Sequence, residues 1–253
     1  DLKKIIGQTK AMPKTNQVDI NNQGLTDEQY EELESLEKKS KKKGKDKQPL
    51  TEEEKQRLEE LKKKKILFVG GGVGAAPVYP QVKWLHEHGV DADVIIGSKT
   101  KDMLILEKEM EAVSGNYYPC TDDGSYGHAG MVTTMIEELV EKGNKYDVCI
   151  AIGPMIMMKF VCKLTKELGI PTIVSLNPIM VDGTGMCGAC RVSVGGEVKF
   201  ACVDGPEFDG HLVDFDQAMK RQQMYKTEEG RAILKFQEGK THHGGCGNCG
   251  GEE

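Results

Sequence analysis

Four residues in the last third of the chain have the types and spacing of metal ligands. Asp182 is followed by Cys187, Cys190 and Cys202, which gives the pattern Asp-x4-Cys-x2-Cys-x11-Cys in a glycine-rich segment. Asp182 stands where the plant-type spacing of iron-sulfur proteins, Cys-x4-Cys-x2-Cys, would place a first cysteine. Because a carboxylate oxygen can also bind iron, the spacing predicts a 2Fe-2S cluster held by one aspartate and three thiolates.

A zinc site and buried structural thiols are the alternatives for these cysteines. A lone Cys-x2-Cys pair would favour zinc. Between Cys190 and Cys202, however, apolar and polar residues alternate around Gly195-Gly196, which is typical of a β-hairpin. A hairpin would return Cys202 to the loop that carries the other two cysteines, and this favours the cluster.

The chain has eight cysteines, and the other five differ in their surroundings. Cys120, Cys149 and Cys162 stand singly among apolar residues, so we expect reduced thiols in the core. Cys246 and Cys249 form a second Cys-x2-Cys pair just after two adjacent histidines, with a spacing too tight for a zinc finger. Two interpretations stay open for this pair. One is a second metal site, and the other is a flexible tail that binds metal weakly.

A buried strand at 66–69 leads into a glycine-rich loop and then into an amphipathic stretch that runs to His88. In this order, backbone amides and the start of the helix can cradle a pyrophosphate. Tight turns also need glycine for steric reasons alone. The candidate binding residues of this loop are Gly70, Gly71, Gly72, Val73, Gly74, Ala75 and Pro77.

Strands and helices then alternate along the chain. Further strands are predicted at 92–96, 117–120, 147–152 and 172–176, with helices at 103–113, 130–142, 154–168 and, after the cysteines, 213–225. Strands separated by helices of this length form right-handed crossovers. The predicted fold class is therefore α/β, with a parallel five-stranded nucleotide-binding sheet and helices on both faces.

Composition and segment boundaries complete the expectations. The net charge of −6 does not indicate nucleic-acid binding, and the absence of a long apolar run or a secretory signal favours a cytoplasmic protein without a membrane span.

Two leucine-aligned helices with capping boxes, joined by a lysine-rich connector, predict a helical hairpin that docks on a partner or on the next domain. The expected units are an arm and hairpin (1–64), a nucleotide-binding domain (65–177), a cluster subdomain (178–226) and a tail (227–253).

The segments 175–192 and 199–211 resemble the small subunit of NADH-dependent reduced ferredoxin:NADP oxidoreductase, within the ferredoxin-NADP reductase superfamily. Sulfide dehydrogenase and the electron-transfer subunit of dihydroorotate dehydrogenase belong to the same group. The resemblance covers residues 65 to about 226 and implies a 2Fe-2S cluster with an aspartate ligand. It also implies a large flavin and 4Fe-4S partner subunit, similar to the glutamate synthase small chain, and a link to ferredoxin.

The resemblance also implies that NAD(P)H lies at the carboxyl ends of the strands, where ligands bind in such sheets. Lys99 and Lys101 could pair with a 2'-phosphate, which favours NADP over NAD. For Asp122 and Asp123, the alternative to a nucleotide contact is a role as turn residues that cap the following helix. Beyond the glycine loop, the implied contacts are Ser98, Lys99, Asp122, Asp123, Gly153, Pro154 and Met155.

The family also has an N-terminal β-barrel that binds FAD, whereas residues 1–64 are charged and helical in pattern. A flavin is needed because NAD(P)H gives two electrons and a 2Fe-2S cluster takes one. We therefore expect an electron-transfer subunit of a multi-subunit oxidoreductase, with FAD on this chain in doubt. The alternative is a non-catalytic assembly subunit that retains a degenerate nucleotide-binding fold.

Overall fold

A seven-stranded sheet organises the part of the chain that the structure describes. The computed structural model describes residues 65–237, together with Glu32, Ser35 and Leu36. Five strands of the sheet are parallel and alternate with helices. They are β1 (Ile66–Gly71), β2 (Ala92–Ser98), β3 (Asn116–Thr121), β5 (Val148–Ile152) and β6 (Thr172–Ser175).

Two very short strands extend the sheet at its edges. Parallel β4 (His128–Ala129) pairs with β3, and antiparallel β9 (Glu207–Asp209) pairs with β6. The order across the sheet is β4-β3-β2-β1-β5-β6-β9. The five predicted strands are confirmed, whereas the two edge strands were missed because two or three residues are too few to show a periodic pattern.

Within residues 65–237, six α-helices accompany these strands. They are α1 (Ala75–Glu87), α2 (Glu107–Val113), α3 (Val132–Glu141), α4 (Met155–Glu167), α5 (Phe215–Gln222) and α6 (Lys226–Gln237). The helix predicted from residue 103 begins only at Glu107, because a short 3-10 turn ends at Met103 and Leu106 has a left-handed backbone with φ of 56°. A bulky side chain rarely adopts that conformation, so it separates the turn from the helix.

Apolar side chains cover both faces of the sheet. Along β1, Leu67 and Val69 join the cluster that contains α3 and α4, whereas Ile66 and Phe68 join the cluster that contains α1. All four are buried, and each such side chain contributes about 1.5–3 kcal/mol through its removal from water. Burial on both faces explains why these strands read as continuous apolar runs.

A separate two-stranded hairpin follows β6. It consists of β7 (Arg191–Val194) and β8 (Glu197–Phe200), and Val194 pairs with Glu197 across the turn. Gly195 and Gly196 form this turn with φ angles of 60° and 84°, the left-handed conformation that a type I′ turn requires. The predicted hairpin is therefore confirmed.

Most of the N-terminal hairpin and of the C-terminal tail lies outside the described residues. Glu32, Ser35 and Leu36 are helical, as expected within the first helix of the N-terminal hairpin, and Leu36 is buried. The second predicted helix of that hairpin and the Cys246-x2-Cys249 tail lie outside the described residues. Within the described ranges, no helix has the length and apolar character to cross a lipid bilayer.

Candidate functional site

The segment with the four candidate ligands leaves the sheet at the carboxyl end of β6. Immediately after that strand, the backbone N–H of Leu176 donates to the carbonyl of Pro206. The chain then forms a loop to Cys190, continues through the β7–β8 hairpin and returns as β9. The loop and its return therefore start and finish beside the same edge of the sheet.

The hairpin brings Cys190 and Cys202 together. Pairing of Arg191 with Phe200 places the two cysteines near the open end of the hairpin, where their Sγ atoms lie 3.3 Å apart. Cys190 is buried and Cys202 is half-buried. The hydrogen bond with Cys190 raises the pKa of the Cys202 thiol above its usual value. These two sulfur atoms form the first close pair of the site.

Asp182 and Cys187 form a second neighbouring pair. The backbone N–H and the hydroxyl of Thr184 donate to Oδ1 of Asp182, the hydroxyl from 2.8 Å. These bonds, with further hydrogen bonds from Cys187, hold the pKa of the Asp182 carboxyl below its ordinary range. Cys187 is exposed, and its Sγ accepts a hydrogen bond from Ala189 N at 3.5 Å. The carboxylate is therefore ionised at neutral pH.

Backbone contacts connect the two pairs. Gly185, which lies between Asp182 and Cys187, forms a backbone hydrogen bond with the Cys202 sulfur that lowers the thiol pKa. Its φ of 82° is left-handed, and a Cβ there would press on Val203. A side chain at this position would be strained and crowded. Glycine thus lets the loop approach Cys202.

The four residues do not converge on a single point. Among the described residues, no group of three or more His, Cys, Asp or Glu side chains could hold one metal ion. A zinc site requires such convergence, usually of four ligands. The arrangement is instead one of two adjacent pairs that share a loop.

The remaining cysteines of the described part are structural. Cys120, Cys149 and Cys162 are buried free thiols, as expected. Burial raises the pKa of Cys120 and of Cys162 to about 12 and that of Cys149 further. These thiols stay protonated at neutral pH and are poor nucleophiles or ligands.

The glycine loop lies at the carboxyl end of β1, and its glycines pack tightly. A Cβ on Gly74 would collide with the carbonyl of Ile152, and one on Gly153 would lie 3.0 Å from Gly71 N. The loops after β1 and β5 therefore approach each other closely only because glycine has no side chain at these positions. Ala75 is buried, whereas Val73 and Pro77 are exposed at the surface of the loop.

The loops after β2 and β3 are joined by backbone hydrogen bonds. Asp122 N donates to Ser98 O at 3.0 Å, and Asp123 N donates to Lys99 O at 3.3 Å. The carboxylate of Asp123 accepts from the hydroxyl of Ser125 at 2.6 Å and from its N–H at 3.0 Å, bonds that lower the Asp123 pKa. This geometry is an Asx turn, which agrees with the turn alternative for Asp123.

A groove lies between the loop after β5 and the segment that follows β6. Its volume is about 520 Å3, and it lies where Pro154 starts α4, with Met155 buried behind it. Across the groove, Gln222 Nε2 of α5 donates to Asn177 O at 3.0 Å. The lining residues are Pro154, Met155, Ile156, Asn177, Pro178, Ile179, Met219, Gln222, Gln223 and Lys226.

The helix predicted at 213–225 is present as α5 (Phe215–Gln222), but its contacts with the cluster segment were not predicted. His211, just before α5, contacts Thr165 of α4, with Nε2 and Oγ1 3.1 Å apart. Gln222 and Arg221 reach residues more than thirty positions earlier in the chain. No local pattern in a single sequence could have indicated those contacts.

Two family models match the chain in these regions. The oxidoreductase NAD-binding domain matches residues 68–163. The iron-sulfur cluster binding domain of dihydroorotate dehydrogenase B matches residues 177–214, the segment that contains both ligand pairs. The chain therefore carries an NAD-binding domain followed by an iron-sulfur cluster binding domain.

Whole-chain comparisons agree with these matches. A dihydroorotate dehydrogenase B electron transfer subunit homolog of Thermotoga maritima is 52% identical over 171 residues, which are 68% of this chain and 60% of that protein. Over that span the chain is similar to this electron transfer subunit homolog. An uncharacterized protein from the adh 3' region of Clostridium beijerinckii is 69% identical over 75% of this chain and 64% of its own length.

A solved structure of an NADH-dependent reduced ferredoxin-NADP oxidoreductase, studied for flavin-based electron bifurcation, contains a similar chain. The TM-score is 0.63 at 48% identity, with 68% of this chain and 62% of the other covered. The chain thus spans about three fifths of the length of these relatives.

Proposed function

We propose that this chain is an electron-transfer subunit of a multi-subunit flavin and iron-sulfur oxidoreductase. It would relay electrons between NAD(P)H, through a flavin, and a partner subunit or ferredoxin. The observation that carries the proposal is the coincidence of the iron-sulfur domain match with the two ligand pairs. The adjacent match to an NAD-binding domain supports it, because the chain would then bring a two-electron donor near a one-electron carrier.

The two pairs fit a cluster with two irons better than a single metal ion. In such a cluster each iron takes two protein ligands, so Cys190 and Cys202 would hold one iron, and Asp182 and Cys187 the other. The already ionised Asp182 supplies the oxygen ligand without a proton to release. A 2Fe-2S cluster held there would accept and pass on single electrons.

The carboxyl edge of the sheet would bind the nucleotide. The Gly70–Gly74 loop and the start of α1 would face the pyrophosphate. Lys99 is exposed, and Lys101 Nζ lies 4.6 Å from the centre of the Tyr126 ring, so both ammonium groups are close to the joined loops after β2 and β3. Either could pair with a 2'-phosphate, and we infer a preference for NADP over NAD.

A flavin has to connect the nucleotide with the cluster. Among the described residues, the sheets are the seven-stranded sheet and the two-stranded hairpin, so an FAD-binding barrel is not found in that part. We infer that FAD approaches the groove between Pro154 and Asn177 on a barrel that lies outside residues 65–237. The proposed partner is a large flavin and 4Fe-4S subunit similar to the glutamate synthase small chain.

One observation favours the second candidate function, a non-catalytic assembly subunit. Gly71, Gly74 and Gly153 are required by the close approach of two loops, so their presence does not by itself demand a nucleotide. A scaffold would bind neither NADH nor NADPH. Equilibrium dialysis with both nucleotides separates the two functions.

Nucleotide preference can be measured in the same experiment. Lys99→Ala and Lys101→Ala should each weaken NADPH binding by about tenfold, the value of one charge-assisted hydrogen bond, and leave NADH binding unchanged. Lys108→Ala, at an exposed lysine of α2, is the matched control. Equal affinity of the wild type for both nucleotides would contradict the NADP preference.

The decisive test of the proposed function is anaerobic purification of the complex, with iron, sulfide and flavin assays and visible and EPR spectra. We expect equimolar iron and sulfide and a reduced-state signal of a 2Fe-2S cluster. A colourless, iron-free protein, or a protein that contains zinc, would refute the proposal.

A further inference from the structure

Arg221, in the last turn of α5, contacts the short turn between two of the proposed ligands. Its Nη2 donates to Ala189 O at 3.1 Å and lies 3.5 Å from Gly188 O. Both carbonyls belong to the two residues that separate Cys187 from Cys190. The guanidinium therefore fixes the piece of backbone that sets the distance between these thiols.

The environment of Arg221 differs from that of an ordinary basic residue at a helix end. Its Nε is buried and has no hydrogen-bond partner among the described residues. Lys220, the preceding residue, is exposed, as expected for a charge that complements the helix dipole. A guanidinium with a buried, unsatisfied nitrogen costs free energy unless an anion lies close to it.

The helix that carries Arg221 is held in place at its first turn. Asp214 caps its start by accepting from Gln217 N at 2.9 Å, and Phe215 is buried beneath it. Lys159 of α4 forms an ion pair with Asp216 at 2.7 Å. Since α4 belongs to the nucleotide domain, α5 presents Arg221 to the cluster loop from a fixed support.

We propose that Arg221 is a positioning residue for the iron-sulfur cluster and raises its reduction potential. The inference rests on the proposed function, because it needs a cluster at Asp182, Cys187, Cys190 and Cys202. A cluster with thiolate and carboxylate ligands is negatively charged, and reduction adds one more negative charge. A cation near the Cys187–Cys190 turn therefore stabilises the reduced state more than the oxidised state.

Three substitutions separate the charge from the hydrogen bonds. Arg221→Lys keeps the charge but loses the planar guanidinium whose Nη2 faces the two carbonyls. Arg221→Gln keeps a hydrogen-bond donor but loses the charge, and Arg221→Met keeps only the apolar stem. Lys220→Gln removes the same charge from the adjacent exposed position and is the matched control. The readouts are iron and sulfide content, the midpoint potential by EPR-monitored titration, and hydrogen exchange of residues 187–190 in the iron-free protein.

We expect Arg221→Gln to make the cluster about tenfold harder to reduce, a shift of 59 mV to more negative potential for one electron. Arg221→Lys should keep the potential near that of the wild type but speed hydrogen exchange in the turn. Arg221→Met should show both the more negative potential and the faster hydrogen exchange, and it should lose iron. Lys220→Gln should match the wild type in all three measurements.

The inference is overturned if Arg221→Gln and Arg221→Lys match Lys220→Gln in potential and exchange. A wild-type protein without iron would refute the proposed function, whereas unchanged exchange in the iron-free variants would refute the positioning role alone. Should Arg221→Met fail to fold, the comparison of the lysine and glutamine variants decides, since each keeps a polar end group.

Discussion

The Sγ atoms of Cys190 and Cys202 lie 3.3 Å apart although twelve sequence positions separate the residues. The β7–β8 hairpin closes that distance. Asp182 and Cys187 are neighbours through hydrogen bonds, and Gly185 connects them to Cys202. The four proposed ligands thus form two pairs, and each pair can be tested separately.

Removal of one thiol from the Cys190–Cys202 pair should prevent cluster binding. Cys202→Ala leaves Cys190 alone on one iron, so we expect loss of visible absorbance and of bound iron after anaerobic reconstitution. Cys120→Ala is the control, because Cys120 is a buried thiol in the nucleotide domain. Retention of iron and sulfide by Cys202→Ala at the wild-type level would show that Cys202 is not a ligand.

Asp182→Cys should keep the cluster and change its reduction potential. The substitution restores the all-cysteine spacing of plant-type clusters and replaces an oxygen donor with a softer thiolate. We expect a 2Fe-2S visible and EPR spectrum with a shifted midpoint potential. An unchanged potential would argue that Asp182 does not bind iron.

Much of this site could be predicted because its signal is local. The Asp182-x4-Cys187-x2-Cys190 spacing and the Gly195-Gly196 turn are short-range patterns, and the hairpin has the predicted position. The hydrogen bond from Arg221 to Ala189 O joins residues 32 positions apart, and no periodic pattern in the sequence indicates it. The edge strand β9 is similar, since its three residues pair only after the cluster segment has returned to β6.

The glycine loop shows the opposite problem, a clear pattern with two physical causes. Gly74 is needed because a Cβ there would collide with the Ile152 carbonyl, irrespective of any ligand. A sequence pattern cannot separate this packing requirement from a phosphate-binding role. The separation requires a measurement of stability in the absence of nucleotide.

Gly74→Ala should therefore destabilise the protein without nucleotide. Overpacking against the Ile152 backbone is expected to lower the free energy of unfolding by about 1–3 kcal/mol, measured by urea denaturation of the iron-free protein. Gly230→Ala is the matched control, because it lies in α6 with open space around it, and alanine there should be neutral or stabilising. Equal stability of Gly74→Ala and the wild type would leave ligand binding as the reason for this glycine.

His211 should make the stability of the protein sensitive to mild acid. Burial lowers the pKa of His211 below its usual value of 6.5, with Lys166 acting in the same direction and Asp209 opposing it. The unfolded chain then binds more protons than the folded protein between the two pKa values, so this contribution to stability falls as the pH drops below 6.5. His211→Gln should remove it, and the difference in unfolding free energy between wild type and variant should shrink on acidification to about pH 5.5. His86→Gln, at an exposed histidine of α1, leaves the His211 contacts intact and should retain the wild-type dependence. A pH profile of His211→Gln that is parallel to the wild type over this range would contradict the assignment.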